Sequence, residues 1–426
     1  MCASPDTAAA PPRGGATFRA LRHHNFRLFW SGQLVSLVGT WMQSTAQSWL
    51  VLQLVTRAYG ADKSALYLGL VSAIGSLPTF LLTLLAGALA DRGDKRRIVI
   101  ATQAGAMLLA LLLGLLTYTG YIRLWHVVVY AVLVGTVNAF DMPTRQSYVK
   151  ELVGGEDLLN AIALNSSVFN AARIVGPAIA GWLMTIFGVA GIFLLNGASY
   201  LAVLAGLFRI RTPRHTAPTA DRSLWQQLGE GFQYAWRNRA ILLLLALMAV
   251  LTVFGFSYFV LMPVIAVQVL HLEEGGFGIL FAFSGVGALA GALLLASTAG
   301  RAPKGALLCA SGITAAVFLM LFSVSRVFSL SALFLMGISG GLVIASASIN
   351  SLMQETAPDA LRGRVVSMWI FIFGGFTPLG ALYVGTVAHL GERVAMPALP
   401  LLVGGAVCLL AIAVISLRAR WLWRLP

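Results

Sequence analysis

Three ionisable side chains stand inside or beside long apolar runs of this chain: Asp141, Arg145 and Arg173. A charge held in hydrocarbon costs at least about 2.5 kcal/mol on insertion scales, so each needs a partner, a wet cavity or a ligand. Asp141 and Arg145 are one helical turn apart and can pair. Asp141 also lies near a helix C-terminus, where the dipole disfavours an acid. Arg145 or the basic residues at 92–97 would compensate it. The other chemistry open to Asp141 is proton exchange, which needs isolation from cations. Two readings stand for Arg173: an anion or hydrogen-bond anchor for a substrate, or a structural pair with an acid or with helix carbonyls. Pro177, one turn on, supports the second, because it leaves the Arg173 carbonyl without its helical partner.

Uncharged polar residues form a second set. Gln33, Ser36, Thr40, Gln43 and Gln47 recur at spacings of 3, 4, 3 and 4, which places them on one helix face. Such a stripe wants water, a ligand or another helix. Ser166, Asn170 and Arg173 share a face further on, and Ser339, Ser346 and Asn350 repeat the theme. Small residues surround the last group, so close helix packing is its competing reading. A third set is GALADRGDKRRI, with six charges among the seven residues Asp91 to Arg97.

Nothing converges on catalysis. The histidines at 23, 24, 126, 215, 271 and 389 are scattered, and Cys2, Cys309 and Cys408 have no metal-ligand or disulfide spacing. No metal, cofactor or enzymatic activity is expected.

The elements that carry these residues follow from composition. Of 426 residues, 58% are hydrophobic and 10% charged, which a soluble fold could not bury. Twelve apolar runs of spanning length occur, near 28–54, 65–90, 98–119, 124–146, 159–187, 190–208, 240–268, 276–298, 305–324, 328–352, 364–388 and 395–417. An all-α membrane protein of twelve transmembrane helices is predicted. The tails and even-numbered connections hold 23 of the 29 Lys and Arg, and the opposite connections hold five. This bias places both termini in the cytoplasm. It also accounts for the net charge of +14 without a nucleic-acid partner.

The expected organisation is a disordered tail (1–25), a six-helix bundle (26–208), a linker (209–239), a second bundle (240–417) and a short tail (418–426). Within the linker, residues 224–236 read as an amphipathic helix at the membrane surface. The halves echo each other. A shift of 204 residues aligns Glu151 with Glu355, Gly176 with Gly380 and Gly181 with Gly385, and a shift of 209 aligns Arg92 with Arg301. Two parallel pseudo-symmetric halves are a transporter architecture.

These features resemble the major facilitator superfamily over nearly the whole chain. Gly87, Asp91, Arg92, Lys95 and Arg96 match its motif between spans 2 and 3, with Asp94 where the pattern has Gly. ARIVGPAIAG, at 172–181, resembles the fifth-span antiporter motif through Gly176, Pro177 and a shifted Gly181. NFRLFWSGQLVSLVGTWMQ, NAFDMPTRQ and LNAIALNSSVFNAARIVGP resemble the branch holding the enterobactin exporter and macrolide efflux proteins. Ala131 stands where many proton-coupled drug antiporters carry Arg.

The resemblance implies alternating access in a monomer of a bacterial inner membrane, exporting an amphipathic small molecule on an ion gradient, most often H+. An importer, or a receptor or scaffold that does not transport, is the alternative. The resemblance also implies a gate of Gly87, Asp91, Arg92, Lys95 and Arg96 with Asp141 and Arg145. It places Gln33, Ser36, Thr40, Gln43 and Gln47 beside the central cavity. Asn170, Arg173, Ser346 and Asn350 complete the cavity candidates.

Overall fold

The computed structural model describes residues 16–210, 233, 236, 238–298, 303–358, 361–392 and 396–418. The expected surface helix at 224–236 falls almost wholly outside them, as do residues 1–15 and 419–426. The described residues are helical, with no strand.

Ten helices have the length and hydropathy to cross a membrane. One of them, Leu158–Arg209, contains two crossings, because Gly188 (φ 65°, ψ 178°) breaks it. Positive φ at this angle is strained for any residue with a Cβ. The chain doubles back there. Trp30 Nε1 donates to Leu164 O at 3.3 Å, and a Cβ on Gly32 would lie 2.7 Å from Val203 Cα, so both ends of the stretch flank the same turn of helix. One further helix, His24–Tyr59, has the length, but its own polar stripe dilutes its hydropathy. Among the described residues the total is twelve crossings. They are α1 (His24–Tyr59), α2 (Ser64–Arg92), α3 (Lys95–Tyr118), α4 (Leu124–Val153), α5 (158–187), α6 (189–209), α7 (Arg239–Val269), α8 (Glu274–Thr298), α9 (Lys304–Val324), α10 (Phe328–Thr356), α11 (Arg362–Glu392) and α12 (Leu399–Arg418).

Most of these overrun the apolar limits read from sequence, because helices continue into the headgroup region where hydropathy no longer marks them. The chain is also ordered earlier than expected. Residues Ala16–Arg22 form a 3-10 turn docked on the start of α5. There Arg19 meets Asp157 at 2.6 Å, His23 meets Asp157 at 2.8 Å, and Ala20 N donates to Asn160 Oδ1 at 2.9 Å.

The sequence echo is built into the contacts. On α3 and α4, Lys95 pairs with Glu151 at 2.6 Å, and their counterparts Lys304 and Glu355 pair on α9 and α10. A Cβ on Gly176 would press on Trp41 of α1, and one on its counterpart Gly380 would press on Val253 of α7.

Two glycine crossings join the halves. A Cβ on Gly181 of α5 would lie 2.8 Å from Gly278 Cα of α8, and one on Gly69 of α2 would lie 2.8 Å from Gly385 Cα of α11. The shifts of 204 and 209 residues carry one crossing onto the other. Without Cβ atoms the backbones touch, and dispersion holds helices that lipid does not push together.

Both crossings lie toward the membrane side away from the termini. Trp49 Nε1 donates to Glu274 Oε1 there at 3.2 Å, and its ring stacks on Phe277 at 5.3 Å. Gln268 Nε2 donates to Ala61 O at 3.0 Å, and His389 Nδ1 to Asp62 O at 2.8 Å. Phe80 and Phe371 meet at mid-depth, 5.0 Å apart. Toward the terminal side, a Cβ on Gly87 of α2 or Gly363 of α11 would meet nothing within 4 Å. Among the described residues, these contacts joining the halves thus lie at mid-depth or away from the termini.

Candidate functional site

The polar stripe of α1 divides into two edges. At 100° per residue Gln33, Thr40 and Gln47 fall within about 40° of one another, with Ser36 and Gln43 beyond them. The first edge borders open space. Gln33 and Thr40 line a cavity of 620 Å³, and Gln47 lines a smaller one of 200 Å³. The second edge is helix glue. Gln43 donates to the Tyr130 hydroxyl of α4 and accepts from Asn196 Nδ2 of α6 at 2.7 Å. Ser36 is buried and gives its carbonyl to Thr40 Oγ1 at 2.9 Å.

The large cavity belongs to the first half and lies in the terminal-side part of its helices. Its walls come from α1, α3, α4, α5 and α6. Leu37, Trp41 and Ser44 form the centre of the α1 wall, so the polar stripe is a rim. Trp41 meets Phe169 of α5 edge-on at 5.7 Å. Opposite this apolar and aromatic side stand Gln103, Asn138, Asp141, Arg145, Gln146 and Asn165.

Asp141 organises the polar side. It is 2% exposed. Its Oδ1 accepts from Thr102 Oγ1 at 2.8 Å and Gln103 Nε2 at 2.9 Å, and its Oδ2 pairs with Arg145. Arg145 Nη1 also donates to Gln33 Oε1 at 2.6 Å, tying α4 to α1. Of the two readings from sequence, the structure shows the ion pair. The basic residues at 95–97 are engaged elsewhere. Lys95 holds Glu151, Arg96 donates to Leu207 O at 2.9 Å and Phe208 O at 3.2 Å, and Arg97 pairs with Asp94. Asp94 caps α3 by accepting from Arg97 N at 3.1 Å, so this turn is built on an Asx cap in place of a glycine.

Several polar atoms on these walls are shielded and unpaired: Gln33 Nε2, Gln103 Oε1, Arg145 Nε and Asn165 Oδ1. Buried polar atoms are ordinarily satisfied. Polar side chains such as Asn138, Gln146 and Asn170, facing an aromatic wall, suit a solute with a polar head and an apolar body.

The remaining candidates disperse. Asn170 lines the cavity and donates to Ser166 O at 2.9 Å. Arg173 lies one turn deeper and does not itself line the cavity; its Nε is buried and unpaired. Ser346 is buried in α10. Asn350 lines a separate 470 Å³ pocket with Gln354 and Arg362. Gly176 and Gly181 are backbone contacts to α1 and α8, and Pro177 O lies 2.5 Å from where a Gly278 Cβ would be. Gly87 is uncrowded on α2; the side chains of Asp91 and Arg92 lie outside the described residues.

Sequence reasoning missed Thr102 and Gln103, although an adjacent polar pair near the start of an apolar helix was a visible signal. It also missed a hydroxyl triangle in the second half, where Tyr258, Ser284 and Ser339 lie 2.8, 2.6 and 2.8 Å apart. One tyrosine and two serines on three separate helices give no such signal, although Ser339 was named on its own helix face. Nor did spacing suggest that Asp62, His389 and Glu392 would bring ligand-type atoms within 4.8 Å of one another where the halves meet.

A family model described as transmembrane secretion effector matches residues 15–422. The chain is 30% identical over 368 residues to the multidrug efflux pump Tap of Mycolicibacterium fortuitum, covering 83% of this chain and 87% of that pump. It is 30% identical over 278 residues to the staphyloferrin A transporter of Staphylococcus aureus, covering 63% of this chain and 66% of that transporter. Macrolide efflux protein A of Streptococcus pyogenes is 25% identical over 379 residues, covering 85% and 89%. Among solved structures, an auto-inhibited POT family peptide transporter matches with a TM-score of 0.73 at 16% identity, covering 93% of this chain and 97% of that one. A D-xylose-proton symporter matches at 0.70 and 13%, covering 96% and 98%. These structural likenesses concern the fold. With twelve helices in two pseudo-symmetric halves, the chain belongs to the transmembrane secretion effector family of major facilitator transporters.

Proposed function

We propose that this transporter exports an amphipathic small molecule, such as a siderophore, drug or metabolite, by alternating access. It works as a monomer in a bacterial inner membrane, with the terminal side in the cytoplasm and an H+ gradient as driving force. One observation carries the reading: the 620 Å³ cavity lies in the terminal-side part of the first half, while the halves meet by glycine crossings at the far side. This is the geometry of a carrier loading from the terminal side. The Lys and Arg bias assigns that side to the cytoplasm. Efflux is in the names of two relatives, Tap and macrolide efflux protein A.

Closing the terminal side requires the ends of α2 and α11 to meet. Gly87 leaves room for that approach, and Asp91 with Arg92 supplies charges at the tip of α2. Lys95, Arg96 and the Asp141–Arg145 pair brace the first half as it moves. Asp91→Asn leaves membrane insertion intact and cripples transport. Wild-type transport by this variant would reduce the motif to a topological anchor.

The direction is tested in oriented proteoliposomes with a panel of siderophores and drugs. Export predicts accumulation when the terminal side faces outward and the lumen is acidic. Accumulation only in the opposite orientation overturns it, and indifference to a protonophore overturns the H+ coupling.

A further inference from the structure

We propose that the transported molecule carries an anionic head, a carboxylate or similar oxyanion, and that Arg173 binds it; this rests on the cavity reading above. The argument is a charge inventory. Asp141 and Arg145 neutralise each other at the cavity wall. Arg173, near the middle of α5, has no hydrogen bond or ion pair among the described residues, and its Nε is shielded from solvent. The structural pairing that Pro177 made attractive is absent: no helix carbonyl accepts from this guanidinium.

Arg173 lies where the halves meet, since a Cβ on Gly285 of α8 would lie 2.9 Å from its carbonyl oxygen, and an electrostatic neighbour there is Tyr258 of α7. Its hydroxyl is closed into a triangle with Ser284 and Ser339, and no carboxylate stands among them. One positive charge is therefore left uncompensated at mid-membrane. A half-buried guanidinium with no partner is unfavourable, and an oxyanion answers it with two parallel hydrogen bonds.

The surroundings fit an amphiphile. Phe169 lies four residues before Arg173 on α5, on the same side, and meets Trp41. Asn170, three residues before it, lines the cavity. An apolar body against the aromatic pair would place its head one turn deeper, at Arg173. Because Arg173 lies between the halves, a bound anion would also remove a charge that opposes their closure around it. An anionic lipid headgroup has the same chemistry as an anionic solute, and the test separates them.

The full-length protein in phosphatidylcholine nanodiscs is titrated calorimetrically with 2-naphthoate and with its neutral isostere 2-naphthamide. The carboxylate is expected to bind about tenfold tighter or more. Arg173→Gln abolishes that preference and leaves naphthamide binding unchanged, while Arg173→Lys keeps part of it. In ligand-free discs Arg173→Gln also raises the melting temperature, because it removes an unpaired charge. Phosphatidylglycerol in the disc suppresses naphthoate binding if the lipid competes for Arg173, and leaves it intact if the site is reserved for solutes. Equal binding of both probes overturns the anion site and leaves the cavity reading standing. Failure of both probes to bind overturns both. A lowered melting temperature in Arg173→Gln overturns the claim that the charge is unpaired.

Discussion

Asp141 shows how a single acid survives inside a membrane protein. Three donors from two helices converge on its carboxylate, and two are neutral. Such a pair is weak evidence for stability in itself, but breaking it from one side strands a charge. Asp141→Asn should therefore cost about 3–5 kcal/mol of unfolding free energy. Asp141→Asn with Arg145→Gln should recover most of it. Unfolding in mixed micelles measures both, and an additive double variant would show that the two charges do not interact. At this scale the sequence was partly legible. The spacing of Asp141 and Arg145 predicted their pairing, because one helical turn brings such residues together. Arg173 was not legible, since its partner or lack of one depends on what three other helices present to it.

At the scale of elements, α1 is the informative helix. Its polar stripe looked like one surface and is two, because the helix lies against α6 and α4 on one edge and the cavity on the other. With the native cysteines replaced, Thr40→Cys and Gln47→Cys should react with membrane-impermeant maleimides. Ser36→Cys and Gln43→Cys should stay protected. Uniform reactivity along the stripe would contradict the two-edged arrangement. Helix number and approximate limits were legible, since apolar length suffices for a span. The extension of α1, α4, α10 and α11 was not, because hydropathy falls silent where helices leave the hydrocarbon.

Across the whole molecule, the two glycine crossings hold the halves together on the side away from the termini, and the proposed alternating access requires them to part. The internal repeat carries one crossing onto the other. Thr185 Cγ2 lies 3.9 Å from where a Gly275 Cβ would be, beside the α5–α8 crossing. Thr185→Cys with Gly275→Cys should cross-link under mild oxidation and arrest transport, and reduction should restore it. Thr40→Cys, added to the cross-linked protein, should still be labelled from the terminal side. Transport that persists in the cross-linked protein would mean that this contact need not open.

The amino-acid sequence by itself determined the membrane class, the twelve helices, the two halves and the family. These follow from apolar length, charge bias and local motifs, which need no knowledge of neighbours. Internal repetition aligned Glu151 with Glu355, and the structure gives each a lysine partner, Lys95 and Lys304. Tertiary structure decided which polar residues face open space, that Asp141 is fully engaged while Arg173 is not, and at what depth the halves meet. Each of these depends on how helices far apart in the chain are rotated against one another, and a helix's own periodicity leaves that rotation free.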